Sequence, residues 1–320
     1  MNVNQSKLTC IVLASLAMLL LPFQLLAETQ VVKKPHTFSA GTPARASEVN
    51  SNFDVAYEHI QKLLNVVCKY HPTEPLCETE IFTNDFGMSF VLIPPGTFVM
   101  GSPEGETTGR YSDEEIQHSV TLTQSFYLQT TEVTQGQWKA LMGNNPSHFS
   151  SCGDDCPVEN VSWEDIQEFI GKLNLHENAH LYQLPTEAQW EYAARAGSTT
   201  ALANGHLAET GCSIDNNLNA MAWYCGNADS KTHQVAQKKA NAWGLYDMHG
   251  NVWEWCQDWK SAYPTNSVTD PRGPSTGTVR VRRGGGWTDG AQYCRSAQRG
   301  STAAGSRSAL GLRLSMTLNP

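Results

Sequence analysis

Three times between residues 133 and 189 the chain uses one helix-starting device ahead of a helical pattern, and beyond residue 200 helical periodicity disappears. Thr134 is followed three residues on by Gln137, Ser162 by Asp165 and Thr186 by Gln189. At that spacing a hydroxyl caps the backbone N–H three positions ahead, and the side chain there reaches back to the cap's own N–H. Val133 with Trp138 and Val161 with Ile166 are placed as hydrophobic staples across the first two starts. The third helix runs through Trp190 toward a stop at Gly197. Upstream, "MSFVLIPPGTFVMGS" reads as two short apolar strands broken by Pro94-Pro95-Gly96, a turn combination. Past residue 200 Gly, Asn, Trp and Arg dominate and helical periodicity is lost. A long irregular region of this kind needs side chains, and ions, to hold it. A few capped helices, short strands and that region together predict an α+β fold.

The α+β domain is assigned to residues 81–320, behind three shorter segments. Residues 1–27 carry Lys7, an apolar run from Cys10 to Leu26 and then Ala27, the make-up of a secretory signal peptide cleaved after Ala27. Pro22 and the small residue at the end of the run argue against an uncleaved membrane anchor. The mature chain is therefore expected to be exported, periplasmic or secreted, without a membrane attachment. Residues 28–46 form a polar, extended leader with Lys33, Lys34, Pro35 and Pro43. In residues 47–80, a short helical module, Val49, Phe53, Ala56, Ile60, Leu63 and Val67 recur at steps of four and three. Such a seam makes a homo-oligomer through residues 47–67, or lays the helix on the main domain.

A net charge of −9 excludes a general nucleic-acid binder, which needs a basic face to displace counterions from phosphates. The one basic cluster (Arg280, Arg282, Arg283, Arg295, Arg299, Arg307 and Arg313) reads as local salt-bridging rather than an anion site. Export also changes how the thiols read. Without Cys10, eight remain, and an even count in an oxidising compartment suggests disulfides first. Cys68–Cys77, Cys152–Cys156 and Cys212–Cys225 are the economical local pairs. They leave Cys256 and Cys294, which the same arithmetic pairs with each other, although spacing alone does not fix the connectivity. A bonded Cys294 would be a staple; a free one would keep a catalytic thiol in play.

Two motifs resist their sharper readings. "HENAH", His176 to His180, has the spacing of a zinc-protease helix, with Glu187 or Glu191 conceivable as a third ligand. It lies at the frayed end of the Ser162 helix, just before Leu184-Pro185, where a working zinc helix would not end. Trp253, Trp255 and Trp259 could bind sugars or bases, but tryptophan is mostly buried and core packing is the expected role.

Six ordered strings then carry a resemblance: "FVLIPPGTFVMGS", "TTEVTQGQW", "PVENVSW", "LPTEAQWEYAARAG", "NAWGLYDMHGNVWEW" and "RRGGGW…CRSA…R…LGLRL". Over residues 81–317 the chain resembles the formylglycine-generating enzyme, or sulfatase-modifying factor, family. The resemblance implies a C-type-lectin-like variant of an α+β fold with little regular secondary structure. It also implies copper(I) held by two thiolates five residues apart, after a Gly-Gly-Ser-aromatic segment, for oxidising a cysteine of sulfatases to formylglycine. Here that segment is "GGGWTDGAQYC": Cys294 matches the second thiol, but Asp289 stands at the first and Gly286 at the serine. A carboxylate is a hard ligand and a poor substitute for thiolate on copper(I), so copper is not expected. By the same resemblance, Asp247 and Glu254 carboxylates with Gly250 and Val252 carbonyls would hold a structural calcium, hard oxygens around a tight turn. The reading that follows is an exported binding or scaffold module for a protein or a glycan. Its alternative is an active formylglycine-generating oxidase, or a relative with altered metal use, with Cys294 as its catalytic thiol.

Overall fold

The computed structural model describes residues 81–317 apart from 107, 112–113 and 178–180. The signal peptide, the leader, the helical module with its oligomerisation seam and the Cys68–Cys77 pair lie outside the described residues.

The described residues form three small sheets. The first contains β1 (Ile81–Thr83), β2 (Ser89–Ile93), β5 (Phe126–Gln129), β12 (Ser315–Thr317) and β6 (Tyr182–Gln183), in that order. In the second, β3 (Gly96–Met100), β4 (His118–Leu122) and β8 (Val268–Thr269) lie side by side. The third is ordered β10 (Gly300–Thr302), β9 (Arg280–Arg283), β7 (Trp253–Trp259) and β11 (Leu310–Gly311). The two strands expected around Pro94-Pro95-Gly96 both form, but they do not pair with each other. β2 lies antiparallel to β5, with Phe90 opposite Gln129, and β3 lies antiparallel to β4. The proline break hands the chain from one sheet to another.

All three capping boxes close. Thr134 starts α1 (Gln135–Met142), Ser162 starts α2 (Trp163–His176) and Thr186 starts α3 (Glu187–Arg195). Each cap accepts from the N–H three residues on, at 3.3, 3.1 and 3.1 Å, and its own N–H is met in return at 3.0, 2.8 and 2.9 Å. α3 stops one turn-residue earlier than expected. Ala196 already takes a left-handed φ of 43°, and Gly197 follows at 88°. Among the described residues an α-helix does recur beyond residue 200, α4 (Asn216–Met221), where Asp215 Oδ1 caps Leu218 N at 2.9 Å. Six residues are too few to show a period, so this start is visible only as its cap.

The described residues bury three apolar clusters. In the first, Trp138 stacks on Phe169 at 4.8 Å beside Val161, Trp253, Trp255 and Leu312. In the second, Phe126, Trp190, Met248 and Cys256 meet. A third, smaller one gathers Ala201, Leu202, Leu218, Tyr224 and Cys294. Trp253 and Trp255 thus pack in the core, as two-residue spacing on one face of a strand allows. Four of the cluster's arginines form internal ion pairs: Arg299 with Glu187 at 2.6 Å, Arg295 with Glu115 at 2.6 Å, Arg313 with Glu254 at 2.7 Å, and Arg283 with Glu191. Arg307 pairs with Asp165 at the surface, and Arg280 and Arg282 lie over tryptophan rings. Among the described residues no helix is long and apolar enough to cross a membrane.

Disulfides join Cys152 to Cys156 and Cys212 to Cys225. The expected Cys256–Cys294 pair is not formed; both thiols are free and buried. The reason is spatial: Cys256 belongs to the second apolar cluster and Cys294 to the third.

Candidate functional site

The glycine-rich segment turns back on itself at Gly284 and Gly285, with φ of 98° and 74°. A side chain at Gly285 would place its Cβ 2.8 Å from Cys294 Sγ, so only glycine lets the backbone pass this close to the thiol. A short 3-10 turn, Ala291–Cys294, then carries Cys294 into the core. Its thiol is fully buried, and burial, reinforced by the negative charge of Asp289, pushes its pKa well above the ordinary thiol range. A thiolate is the nucleophile and the metal ligand, so this thiol is held in its inert form.

Asp289, at the position of the missing thiol, is built into the structure rather than left free. Its Oδ2 accepts from Trp253 Nε1 at 2.8 Å, its carbonyl accepts from Cys225 N at 3.1 Å, and its N–H donates to Gly286 O at 2.9 Å. Burial raises its pKa, opposed by the Trp253 hydrogen bond and the charge of Arg282. At Gly286 a Cβ would lie 3.3 Å from Asp289 Oδ2. Beneath the segment sits His249, which sequence reasoning passed over. Ala203 N donates to Nε2 at 3.3 Å, which leaves the proton on Nδ1, and Nδ1 donates to Cys294 O at 2.7 Å. Burial lowers its pKa to about 4. A lone histidine inside "DMHGNVW" gives no spacing signal, and its partners are 45 residues apart or more.

The four residues implied for calcium are only partly free to serve. Asp247 and Glu254 are buried and the chain turns at Gly250 with a φ of 88°. Asp247 Oδ2 accepts from Ala236 N at 2.7 Å, while Oδ1 has no partner among the described residues. Glu254 is fully engaged: Oε2 accepts from Trp190 Nε1 and Arg313 Nε, both at 2.7 Å, and Oε1 from Arg313 Nη2 at 2.7 Å. Close by is a buried carboxylate outside the implied set, Glu132, with neither oxygen partnered among the described residues. Burial, then the charges of Asp247 and Glu254, push Glu132 far above the usual carboxylate range, and burial raises Asp247 to about 6. Such an excess of buried negative charge and orphaned oxygen fits a hard cation. Among the described residues no three His, Cys, Asp or Glu side chains converge as a ready chelate, so backbone carbonyls would complete its shell.

The zinc-protease spacing assembles nothing. His176 is exposed at the end of α2, its ring against Phe86 at 4.8 Å, and His180 lies outside the described residues. Glu187 and Glu191 are ion-paired to Arg299 and Arg195. A concavity of about 590 Å³ opens beside the glycine-rich segment, walled by Phe149, Cys152, Trp223, Lys231, Thr232 and His233. Trp223 and His233 stack at 3.8 Å, and Phe149 meets Trp287 edge-on at 5.0 Å. Asn251 ties cleft to segment: its side chain bonds both the N–H and the carbonyl of His233, and its carbonyl accepts from Trp287 N at 2.9 Å. Trp223 and His233 fall in the irregular stretch, where sequence offers no period to pair them.

The sequence profile of the "Sulfatase-modifying factor enzyme 1-like domain" matches residues 80–318. The chain belongs to this family. Within the sulfatase-modifying factor family it is 34% identical over 226 residues to "Chaperone protein LppX" of Paenibacillus barcinonensis, covering 55% of this chain and 72% of that protein. It is 36% identical over 170 residues to the formylglycine-generating enzyme of Thermomonospora curvata, covering 49% of this chain and 52% of the enzyme. The match thus spans about half the length of that enzyme. Among solved structures, Treponema denticola variable protein 1 superimposes with a TM-score of 0.65 at 32% identity, covering 75% of this chain and 99% of that one. PvdO from Pseudomonas aeruginosa does so with a TM-score of 0.65 at 25% identity, covering 75% and 98%. The α+β architecture expected from the sequence is the one shared with these neighbours.

Proposed function

We propose that this chain is an exported binding or scaffold module that keeps the family's architecture without its copper chemistry. The observation that carries the reading is Asp289. A carboxylate fixed by Trp253 Nε1 stands where the first thiol belongs, and the second thiol, Cys294, is buried and held protonated. Copper(I) needs two soft ligands at once, and with Asp289 at the first position only Cys294 is of that type. The cleft beside the segment supplies a surface for a protein or a glycan: aromatic walls, Lys231 and the amides of Gln234 and Gln237, with no carboxylate among the described lining residues. A relative named as a chaperone supports a protein as the partner. The Asp247 turn holds a structural calcium in this reading, and residues 47–67 are the segment through which the chain self-associates.

One observation favours the alternative of an active oxidase: Cys294 is free rather than bonded to Cys256. Copper(I) competition against a chromogenic chelator separates the two. The wild-type protein is expected to leave all copper with the chelator, and Asp289→Cys to withdraw one equivalent. Stoichiometric, high-affinity copper in the wild-type protein would sink the binding-module reading and restore the oxidase. A failure of Asp289→Cys to bind would mean that the cradle has moved beyond the loss of one thiol.

A further inference from the structure

We infer that Glu132, rather than Glu254, is the second acidic ligand of the cation site at Asp247. This inference rests on the reading that the Asp247 turn binds calcium, and it changes which side chain completes the site.

Glu254 is the weaker candidate because it is already satisfied. Three hydrogen bonds from Trp190 and Arg313 occupy it, and the Arg313 guanidinium lies against both of its oxygens. A cation approaching those oxygens meets a fixed positive charge. Glu132 is the reverse case. It is 0% exposed, and neither Oε1 nor Oε2 has a hydrogen-bond partner among the described residues. Leaving an ionised carboxylate buried and unpaired is among the costliest arrangements in a folded protein.

The backbone brings Glu132 to Asp247. Two residues before Glu132, Thr130 O accepts from Tyr246 N at 2.8 Å, and one residue after it, Val133 N donates to Leu312 O at 2.8 Å. Arg313 clamps the same neighbourhood, donating to Gln129 O at 3.2 Å and to Tyr246 O at 2.9 Å. Glu132 is thereby stitched on one side to the residue preceding Asp247 and on the other to the residue preceding Arg313.

Charge counting gives the ion. Glu132, Asp247 and Glu254 bring three buried carboxylates against the single buried guanidinium of Arg313. The nearby ammonium of Lys238 is turned elsewhere, donating to Asn219 O at 2.9 Å and lying 3.9 Å over the Trp223 ring. With all three ionised, two negative charges are left over, and three oxygens have no partner among the described residues: Glu132 Oε1, Glu132 Oε2 and Asp247 Oδ1. One divalent cation with a taste for oxygen closes both accounts, with the Gly250 and Val252 carbonyls filling out its shell.

The test is calcium titration of the purified protein by calorimetry, with terbium luminescence as a second probe and thermal melts in calcium and in EDTA. The wild-type protein is expected to bind one calcium and to melt higher with it than in EDTA. Glu132→Gln is expected to weaken calcium binding by roughly 100-fold and to melt at the same temperature in both buffers. Wild-type-like calcium affinity in Glu132→Gln would overturn the assignment of Glu132 while leaving the calcium reading intact. Absence of calcium and terbium binding by the wild-type protein would overturn both. Should Glu132→Gln not fold, Glu132→Asp keeps the charge but withdraws the oxygens; weakened binding there supports the assignment and unchanged binding overturns it.

Discussion

His249 holds the glycine-rich segment in place through a single protonation state. With Nε2 accepting from Ala203 N and Nδ1 donating to Cys294 O, the ring is satisfied only when neutral. A second proton would set an Nε2–H against the Ala203 N–H. Its pKa falls from 6.5 to about 4 on folding, chiefly through burial. Below 6.5 the unfolded chain therefore takes up a proton that the folded chain refuses. The stability from neutral His249 is complete above pH 6.5 and is lost as pH falls toward 4, about 3 kcal/mol in all. Urea unfolding at pH 7 and pH 4 should show His249→Gln weaker than wild type at pH 7 but losing less between the two. Equal losses in both proteins would remove His249 from the account. Sequence reasoning reached Asp289 and Gly286 because a five-residue spacing in one segment can be read along the chain. It missed His249, and it paired Cys294 wrongly, because those neighbours are set only once three apolar clusters have formed.

Helix starts were the most legible elements, since a capping box is complete within four residues. Ser162→Ala should cost about 1 kcal/mol in urea unfolding, because it strips the acceptor from Asp165 N at the start of α2 while leaving the Val161 and Ile166 packing in place. A loss indistinguishable from zero would mean that Asp165 alone caps the helix. Strand partnership was not legible: nothing local to Pro94-Pro95-Gly96 says that β2 and β3 enter different sheets. The Cys212–Cys225 disulfide lies between these cases, chosen by proximity and found in the structure. It closes a loop of 13 residues' separation and positions Cys225 N on the Asp289 carbonyl. Replacing both cysteines with serine should lower stability by about 3 kcal/mol. The same change should shift the indole fluorescence of Trp253, which Asp289 accepts from. An unchanged melting temperature under reducing conditions would show that the loop is held by its packing instead.

At the scale of the molecule, buried ion pairs do much of what regular ladders do elsewhere, joining segments far apart in the sequence. Arg283, on β9, reaches Glu191 on α3 and the carbonyls of Gln298 and Ser296, and it is fully buried. Next to it, burial alone would raise Glu187, but Arg299 and then Arg283 hold it at about 2. A net charge of −9 gave no hint of this, because a sum over the chain does not say which charges meet in the interior. The arrangement is a trap for its own members: removing one side of such a pair leaves the other charged and out of reach of water. Arg283→Met should therefore lower unfolding stability by about 3–5 kcal/mol. Arg307→Met, which takes away the exposed partner of Asp165, should leave the transition where it is. Adding Glu191→Gln to Arg283→Met should deepen the loss, because Glu191 still holds Arg195 once Arg283 is gone, and the amide would leave that buried guanidinium without a carboxylate. If the double variant is as stable as Arg283→Met alone, Arg195 does not depend on Glu191, and the loss in the single variant comes from the missing bulk and carbonyl contacts of the arginine. The pairs would then be consequences of the packing rather than what joins it.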